Sequence, residues 1–485
     1  MENKNARLPR NYSMLTDWYE FMMDDCYELC KKGNAEVAFD VFFRKVPSNG
    51  GYAIMAGIDK VIEYVQKLKF GERELDYFIR QGYSKEFIEH LRNFKFTGDI
   101  YAIPDGTPVF PNEPVITIKA PIIEAQILET AILSIVNGAM EHATGARRII
   151  EAANGVPVME FGARRADGLD AAIDASIYGV MAGCKGTSNV LAADMMNMKA
   201  LGTMAHSYIE SFDTELEAFK RFALNNPDNA TLLVDTYDTL RSGVPNAIET
   251  FKYLRNYGIK ANIGIRIDSG DLAYLSKEAR RMLDEAGFYD AKIVLSNGLT
   301  AETIETLFNQ GARFDSLGVG DNISKPEGRM GCVYKEVAIE DNGVFVPRIK
   351  LSNDTIKIVN PGYKKLYRAF DRDTGYALAD VMTLYNRDIR KKDLIIVCPT
   401  DKLKNKRLDN IRLVELQRAI FKNGKLVYDD PDIRVKQQYC DEQMRLLYPE
   451  IRRAILPHEY YVDLSDTVRE LRNDLISQHK SKKEG

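Results

Sequence analysis

Between residues 156 and 320 the chain repeats one pattern: a short apolar run, an amphipathic stretch, then another apolar run. The runs are VPVMEF (156–161), ATLLVD (230–235), ANIGIRID (261–268), AKIVLS (291–296) and FDSLGVG (314–320). Runs this short and this continuously apolar read as strands buried on both faces. Helix patterns lie between them. Leu216, Phe219, Phe222 and Ala223 share one face, with Thr214 and Glu217 at capping-box spacing. Leu272, Leu275, Ala279, Met282, Leu283 and Ala286 share another, stopped by Gly287, and Ile304, Leu307 and Phe308 make a third. Strands alternating with helices predict parallel βα units. A closed or partly closed α/β barrel fits this rhythm better than an open sheet, although spacing alone does not decide it.

The flanks differ. Residues 15–31 predict a helix, with Leu15, Tyr19, Met22, Met23 and Cys26 at helical spacing. Residues 36–43 alternate like a strand. Two helical stretches follow, then a proline-rich segment (99–123) that predicts short or edge strands. Residues 127–150 predict a long helix leading into the barrel. Beyond residue 334 the pattern is β-like again, with Asp341-Asn342-Gly343 as a hairpin turn. The expected organisation is an N-terminal α/β domain (1–135), a barrel domain (136–345) and a C-terminal segment (346–485) packed against the N-terminal domain.

Composition narrows the classes of function. Of 485 residues, 45% are hydrophobic and 28% charged, as in an ordinary globular protein able to bury a large core. A formal net charge of −4 argues against nucleic acid or an anionic membrane as a bulk partner, while leaving room for a local basic pocket. No run of about 18 uncharged apolar residues predicts a membrane span, and the first residues lack the apolar core of a signal peptide. The six cysteines are scattered; only Cys26 and Cys30 are close, with no second pair at zinc spacing. A reducing, cytoplasmic compartment is expected.

In parallel α/β folds ligands bind beyond the carboxyl ends of the strands. The predicted strands end in Glu160-Phe161-Gly162-Ala163-Arg164-Arg165, in Asp235-Thr236-Tyr237-Asp238, in Arg266-Ile267-Asp268-Ser269-Gly270-Asp271, in Ser296-Asn297-Gly298 and in Gly318-Val319-Gly320-Asp321. A further segment supplies Gly202-Thr203-Met204-Ala205-His206-Ser207. Arginines hold phosphate or carboxylate through paired hydrogen bonds. Glycines let backbone N–H groups approach phosphate oxygens. Aspartates can hold ribose hydroxyls or Mg2+, and Phe161 or Tyr19 can stack on a flat ring. Each residue also has a bland reading: turn glycines, ion-paired arginines, a structural histidine, N-cap aspartates, a core tyrosine. Their placement at successive strand ends favours a site for a carboxylate-bearing ring, a ribose and a diphosphate.

LTDWYEF (15–21), FFRKVPSNGGYAIMAG (42–57), EFGARRADG (160–168), KGTSN (185–189), GTMAHS (202–207), IRIDSGDL (265–272) and LGVGDNIS (317–324) occur in that order. Together they closely resemble the nicotinate phosphoribosyltransferase family, from residue 12 to about 370 and more weakly beyond. The resemblance implies a type II phosphoribosyltransferase fold: an irregular α/β barrel with an additional N-terminal α/β domain and a C-terminal segment, in a homodimer with shared active sites. It implies transfer of phosphoribosyl from 5-phosphoribosyl 1-diphosphate to nicotinate, giving nicotinate mononucleotide and diphosphate in NAD salvage. It further implies coupling to ATP through a phosphohistidine, with Mg2+ on ligands it does not identify. By motif match His206 is the phosphorylated residue, and Asp235 and Asp268 join it as catalytic groups. Tyr19, Phe161, Arg164, Ser188, Thr203 and Arg266 match the nicotinate site, with Tyr19 contributed across the dimer. Gly298, Gly318, Gly320 and Asp321 match the phosphoribosyl diphosphate site.

Two positions carry more. Nicotinamide-using relatives place an aspartate where this chain has Ser188; a hydroxyl donates to a carboxylate that an aspartate would repel, so nicotinate is favoured. Asp321 departs from the threonine common in the family, and a charge beside a phosphate needs Mg2+ or a cation such as Lys325. The rival readings are a nicotinamide or quinolinate phosphoribosyltransferase, an idle sensor of phosphoribosyl diphosphate or of NAD precursors, and a generic sugar-phosphate barrel enzyme.

Overall fold

In the computed structural model, which describes residues 10–351, 359–389, 394–397 and 405–484, the five apolar runs form one parallel sheet. Its strands are Val158–Glu160, Ala230–Leu233, Ile263–Ile267, Lys292–Leu295 and Ser316–Val319. They lie side by side in the order first, fifth, fourth, third, second. The helices Leu169–Met181, Glu215–Asn225, Val244–Asn256, Leu272–Glu285 and Ala301–Asn309 alternate with them. The Thr214 hydroxyl accepts from Glu217 N at 3.2 Å and so caps its helix. Gly287 follows the end of Leu272–Glu285 with φ +78.

No strand joins the first barrel strand to the second. Thr187 forms an isolated parallel bridge with Glu160. Leu201 N donates to Thr187 O at 2.8 Å, and Asn229 Nδ2 donates to Gly202 O at 2.6 Å. Loops thus close the ring that strands leave open, because residues 185–205 contain no apolar run able to pair as a buried strand. The barrel is irregular at this place, and this is where the site residues concentrate.

A second, seven-stranded antiparallel sheet is built from three parts of the chain. Glu36–Phe43 is interior, third of the seven, paired with Ile116–Pro121 and with Cys332–Asp341. Asp99–Ala102 pairs with Ile116–Pro121 and with Arg418–Lys422. The strand Cys332–Asp341 falls inside the expected barrel range, yet it belongs to this sheet, and residue 345 lies within its hairpin partner Val344–Pro347. Asn342 and Gly343 turn that hairpin with φ of 52 and 80, as a two-residue primed turn requires. In the proline-rich segment, Ile116–Pro121 is short as expected but interior rather than an edge. Pro104, Pro111 and Pro114 fall in connections and Pro121 ends its strand, so the ladder loses little. Three helices, Ile58–Lys67, Glu72–Gln81 and Lys85–Arg92, replace the two expected stretches.

The C-terminal part adds a four-stranded sheet of Ile411–Glu415, Lys364–Asp371, Ala377–Leu384 and Val462–Leu464. Arg368 and Asp380 form a fully buried ion pair within it, Nη2 to Oδ2 at 2.6 Å. Arg368 also donates to Pro108 O at 3.0 Å, and Tyr460 Oη donates to Asp380 at 2.8 Å. The pair thus links this sheet to the N-terminal region, and the hydrogen bonds to Pro108 O and from Tyr460 offset part of the cost of burying both charges. The helix segment Ile122–Ala152 is long and apolar enough, by those counts alone, to cross a membrane; 61% of its most apolar window is buried, as in a core helix.

The first helix, Trp18–Leu29, turns its surfaces against expectation. Leu15, Trp18, Tyr19 and Met22 are each about half exposed, while Glu20, Phe21 and Asp24 are buried. Thr16 and Thr130 donate to Glu20, the second at 2.6 Å. Burial pushes the Glu20 carboxyl up to about 7, against the Thr130 hydrogen bond and with help from neighbouring Glu129. An unfolded glutamate titrates near about 4.3. Between these values the folded chain holds a proton that the unfolded chain has lost, so stability falls as pH rises from about 4.5 to about 7. Glu20→Gln should flatten this slope, measured by urea denaturation at pH 5 and pH 7.5; an unchanged slope would refute the assignment.

Candidate active site

Asp235 follows the second barrel strand and is almost completely buried. Its Oδ2 accepts from Asp268 N at 3.1 Å and from Ser269 Oγ at 2.5 Å. Its Oδ1 lies 3.3 Å from His206 Nε2. One carboxylate therefore ties two strand ends to the segment that carries His206. Hydrogen bonds to a charged group of this kind stabilise by about 1.5–3 kcal/mol each. His206 stands at the start of the short helix His206–Glu210, and its side chain is 43% exposed, so solvent and ligands can reach the ring.

Arg266 lies in the third strand and spans the rim. Its Nε donates to Ser296 Oγ at 2.9 Å, Nη1 to Thr203 Oγ1 at 3.2 Å, and Nη2 pairs with Asp268 Oδ1 at 3.0 Å. Ser296 also donates to Asp268. The Arg266 guanidinium carbon sits 5.9 Å from the centre of the Phe161 ring. His206, Asp235, Asp268, Arg266, Thr203 and Phe161 thus form one connected constellation, drawn from residues far apart in the chain. Ser296 and Ser269 belong to it as well. Sequence reasoning quoted both at strand ends without giving either a role; a serine closing an apolar strand was the available signal.

The first strand end is held from beneath. Glu160 is fully buried and accepts from Gly162 N, Ser176 Oγ and Thr187 Oγ1. Ser188 N donates to Glu160 O at 3.0 Å, which places the Ser188 segment beside Phe161. Phe161 N donates to Val319 O at 2.7 Å, and its ring lies against Gly318, where a Cβ would meet ring carbons at 2.6 Å. Close ring packing therefore gives one reason for a glycine at 318, a position that the family resemblance assigns to the phosphoribosyl diphosphate site. Gly298 has φ +59 beside Asn297 at φ +93, and both are exposed at the rim. Gly320 precedes the short helix Asp321–Ser324.

Arg164 is exposed and has no hydrogen-bond or ion-pair partner among the described residues. Asp321 is neutralised by Arg165, Nε to Oδ1 at 3.1 Å. Lys325, the expected partner, instead pairs with Asp167 at 2.8 Å. The two pairs leave Asp321 with a cation that sequence distance did not suggest. Tyr19 is not brought to the barrel rim. Burial, with Glu129, Glu20 and Asp17 nearby, pushes its phenol up, and all three of those residues lie in the N-terminal part.

Three family models match the chain in order. They are the nicotinate phosphoribosyltransferase (NAPRTase) N-terminal domain over residues 14–137, the NAPRTase family over 156–351, and the nicotinate phosphoribosyltransferase C-terminal domain over 363–472. The resemblance that sequence motifs carried to about residue 370 therefore continues beyond it. The chain is 41% identical to a nicotinate phosphoribosyltransferase of Bacillus subtilis, covering 94% of this chain and 93% of that one. It is 32% identical to a nicotinate phosphoribosyltransferase of Caenorhabditis elegans, covering 96% and 93%. The crystal structure of human nicotinic acid phosphoribosyltransferase superposes with a TM-score of 0.83 at 26% identity, covering 95% of this chain and all of that one.

The packing of Phe161 on Gly318 generates a prediction. Gly318→Ala should force the ring to move and cost about 1–3 kcal/mol, as overpacking does, read by urea denaturation. The cost should shrink in a Phe161→Leu background; equal costs in both backgrounds would show that the ring is not the obstacle.

Proposed function

The chain belongs to the nicotinate phosphoribosyltransferase family, and on that premise we propose how its residues carry out the reaction. It is a nicotinate phosphoribosyltransferase: it transfers phosphoribosyl from 5-phosphoribosyl 1-diphosphate to nicotinate in NAD salvage. The observation that carries the assignment of roles is Arg266, a cation held by Thr203, Ser296 and Asp268 beside the Phe161 ring. A planar ring bearing a carboxylate needs a flat apolar face and a positive group together. Arg266 and the Ser188 hydroxyl would hold the carboxylate, and Phe161 one face of the ring. Arg164, without a partner among the described residues, is available to an anion. Gly298, Gly320 and the backbone around them would receive the diphosphate.

In the reaction the nicotinate nitrogen forms a bond to C1 of the ribose as the bond from C1 to the diphosphate oxygen breaks. Positive charge grows on the ribose, and the Asp268 carboxylate is placed to stabilise it. Mg2+ would fit this site through Asp268. The oxygens of Asp235 and Oδ1 of Asp268 are engaged, and no cluster of three acidic, His or Cys ligands occurs among the described residues. Asp268 could offer its other oxygen while the diphosphate supplies the rest, the usual manner for this ion. Bound there, Mg2+ would neutralise the leaving group.

His206 is the proposed acceptor of a phosphoryl group from ATP. With Nε2 donating to Asp235, the lone pair remains on Nδ1, which would attack the terminal phosphorus and release ADP. A phosphorylated ring gains about −1.5 to −2 charges, enough to rearrange the loop that carries Thr203. The exposed apolar face of Leu15, Trp18, Tyr19 and Met22 supports a homodimer in which Tyr19 reaches the partner's site. The free buried thiols Cys184, Cys332 and Cys440 suit a reducing cytoplasm.

A product assay with labelled nicotinate tests the reading, run with and without ATP and with a chelator. Nicotinate mononucleotide should form, faster with ATP, slower with chelator, and nicotinamide should be the poorer substrate. His206→Ala should lose both the ATP stimulation and the ATP-dependent labelling of the protein. Labelling that survives in His206→Ala would refute the phosphohistidine.

A further inference from the structure

We infer that Glu160 is a positioning residue that sets the two walls of the nicotinate pocket relative to one another, an inference that rests on the functional reading above. Its carboxylate is fully buried at the end of the first barrel strand. No cation pairs with it among the described residues; three neutral donors converge on it instead. Oε1 takes the Gly162 N–H, and Oε2 takes the hydroxyls of Thr187 and Ser176, the latter proton being shared between Oε2 and Ala172 O, each at 2.9 Å. Ser176 and Thr187 are themselves buried.

Each donor belongs to a different piece of the site. Gly162 follows Phe161 and begins the turn that carries Arg164 and Arg165. Ser176 lies on the helix Leu169–Met181 behind that turn. Thr187 precedes Ser188, and its hydroxyl also accepts from Asn189 N at 2.9 Å, where Asn189 caps the next helix. The backbone repeats the connection: Glu160 N donates to Gly186 O at 3.0 Å and Ser188 N to Glu160 O at 3.0 Å. Thr187 O in turn receives Leu201 N, the approach to Thr203. The carboxylate thus joins the Phe161 wall to the Ser188 wall in the gap where the barrel lacks a strand. No hydrogen bond from its side chain reaches Asn297, Gly298, Gly320 or Asp235; only its backbone pairs with Val319, and a side-chain substitution leaves that pairing in place. Loss of the carboxylate should therefore fall on nicotinate and spare phosphoribosyl diphosphate.

The test uses the full-length enzyme and two substitutions. Glu160→Leu is close in size and leaves the Gly162 N–H and the Thr187 hydroxyl without an acceptor, while Ser176 keeps Ala172 O at 2.9 Å. Glu160→Gln keeps an acceptor for Gly162 N–H and offers an amide to the two hydroxyls, which can turn to accept. Glu160→Leu should raise the KM for nicotinate about tenfold or more, with the KM for phosphoribosyl diphosphate changed less than about twofold. Glu160→Gln should restore the nicotinate KM to within about threefold of the parent. Should Glu160→Leu fail to fold, Thr187→Val and its conservative counterpart Thr187→Ser should divide in the same way. Equal rises in both KM values, a fall in kcat alone, or identical behaviour of the Leu and Gln variants would overturn the inference. A parent enzyme inactive with nicotinate would overturn the functional reading instead.

Discussion

Burying Asp235 organises the candidate site. A carboxylate with almost no contact with water must satisfy its oxygens within the protein, and here the Asp268 N–H, Ser269 Oγ and His206 are drawn to it. The consequences propagate along covalent structure. Fixing Asp268 orients its carboxylate toward Arg266 and Ser296, and Arg266 then reaches Thr203 and lies beside Phe161. A parallel sheet buried on both faces cannot host such groups along its strands, so they gather at the carboxyl ends. The donors and charges of the candidate site are thereby held in place by their neighbours.

The gap in the barrel serves the same end. Ordinary parallel strands would pair Glu160 with a continuous neighbour. Here a single bridge at Thr187 and loop hydrogen bonds around Leu201 and Gly202 replace that neighbour. Loops accept irregular backbone that strands do not, and this is how residues 185–206 bring Ser188, Thr203 and His206 to the rim. Buried side chains compensate for the missing ladder, with Glu160, Ser176 and Thr187 joined in one hydrogen-bonded group. Such a group is stable only when every member is satisfied.

The outer parts of the chain show a different economy of burial. Antiparallel pairing gathers three distant stretches into one sheet around Glu36–Phe43, and the Arg368–Asp380 pair anchors the C-terminal sheet to the same region. On the first helix, Phe21 supplies the inward apolar anchor while Tyr19 and Met22 remain outside. An apolar face left outward by a single chain fits the dimer proposed for this enzyme.

The chain's local pattern determined the five barrel strands, the helices between them, the hairpin at Asn342 and the polar character of each strand end. Those features follow from hydrophobic period, turn residues and caps, which act over a few neighbouring residues. Ordered motifs extended this to a family and its residues. Tertiary structure alone decided the rest. Spacing could not assign Cys332–Asp341 to the N-terminal sheet, because strand pairing is a contact between distant segments. It could not choose which face of the Trp18–Leu29 helix turns inward, because the buried Glu20 on that face finds its donors in Thr16 and in the distant Thr130. Nor could it pair Asp321 with Arg165 rather than Lys325, or give Glu160, Ser176 and Thr187 a common purpose. Each of these depends on where side chains meet in three dimensions, and one-dimensional order does not encode that distance.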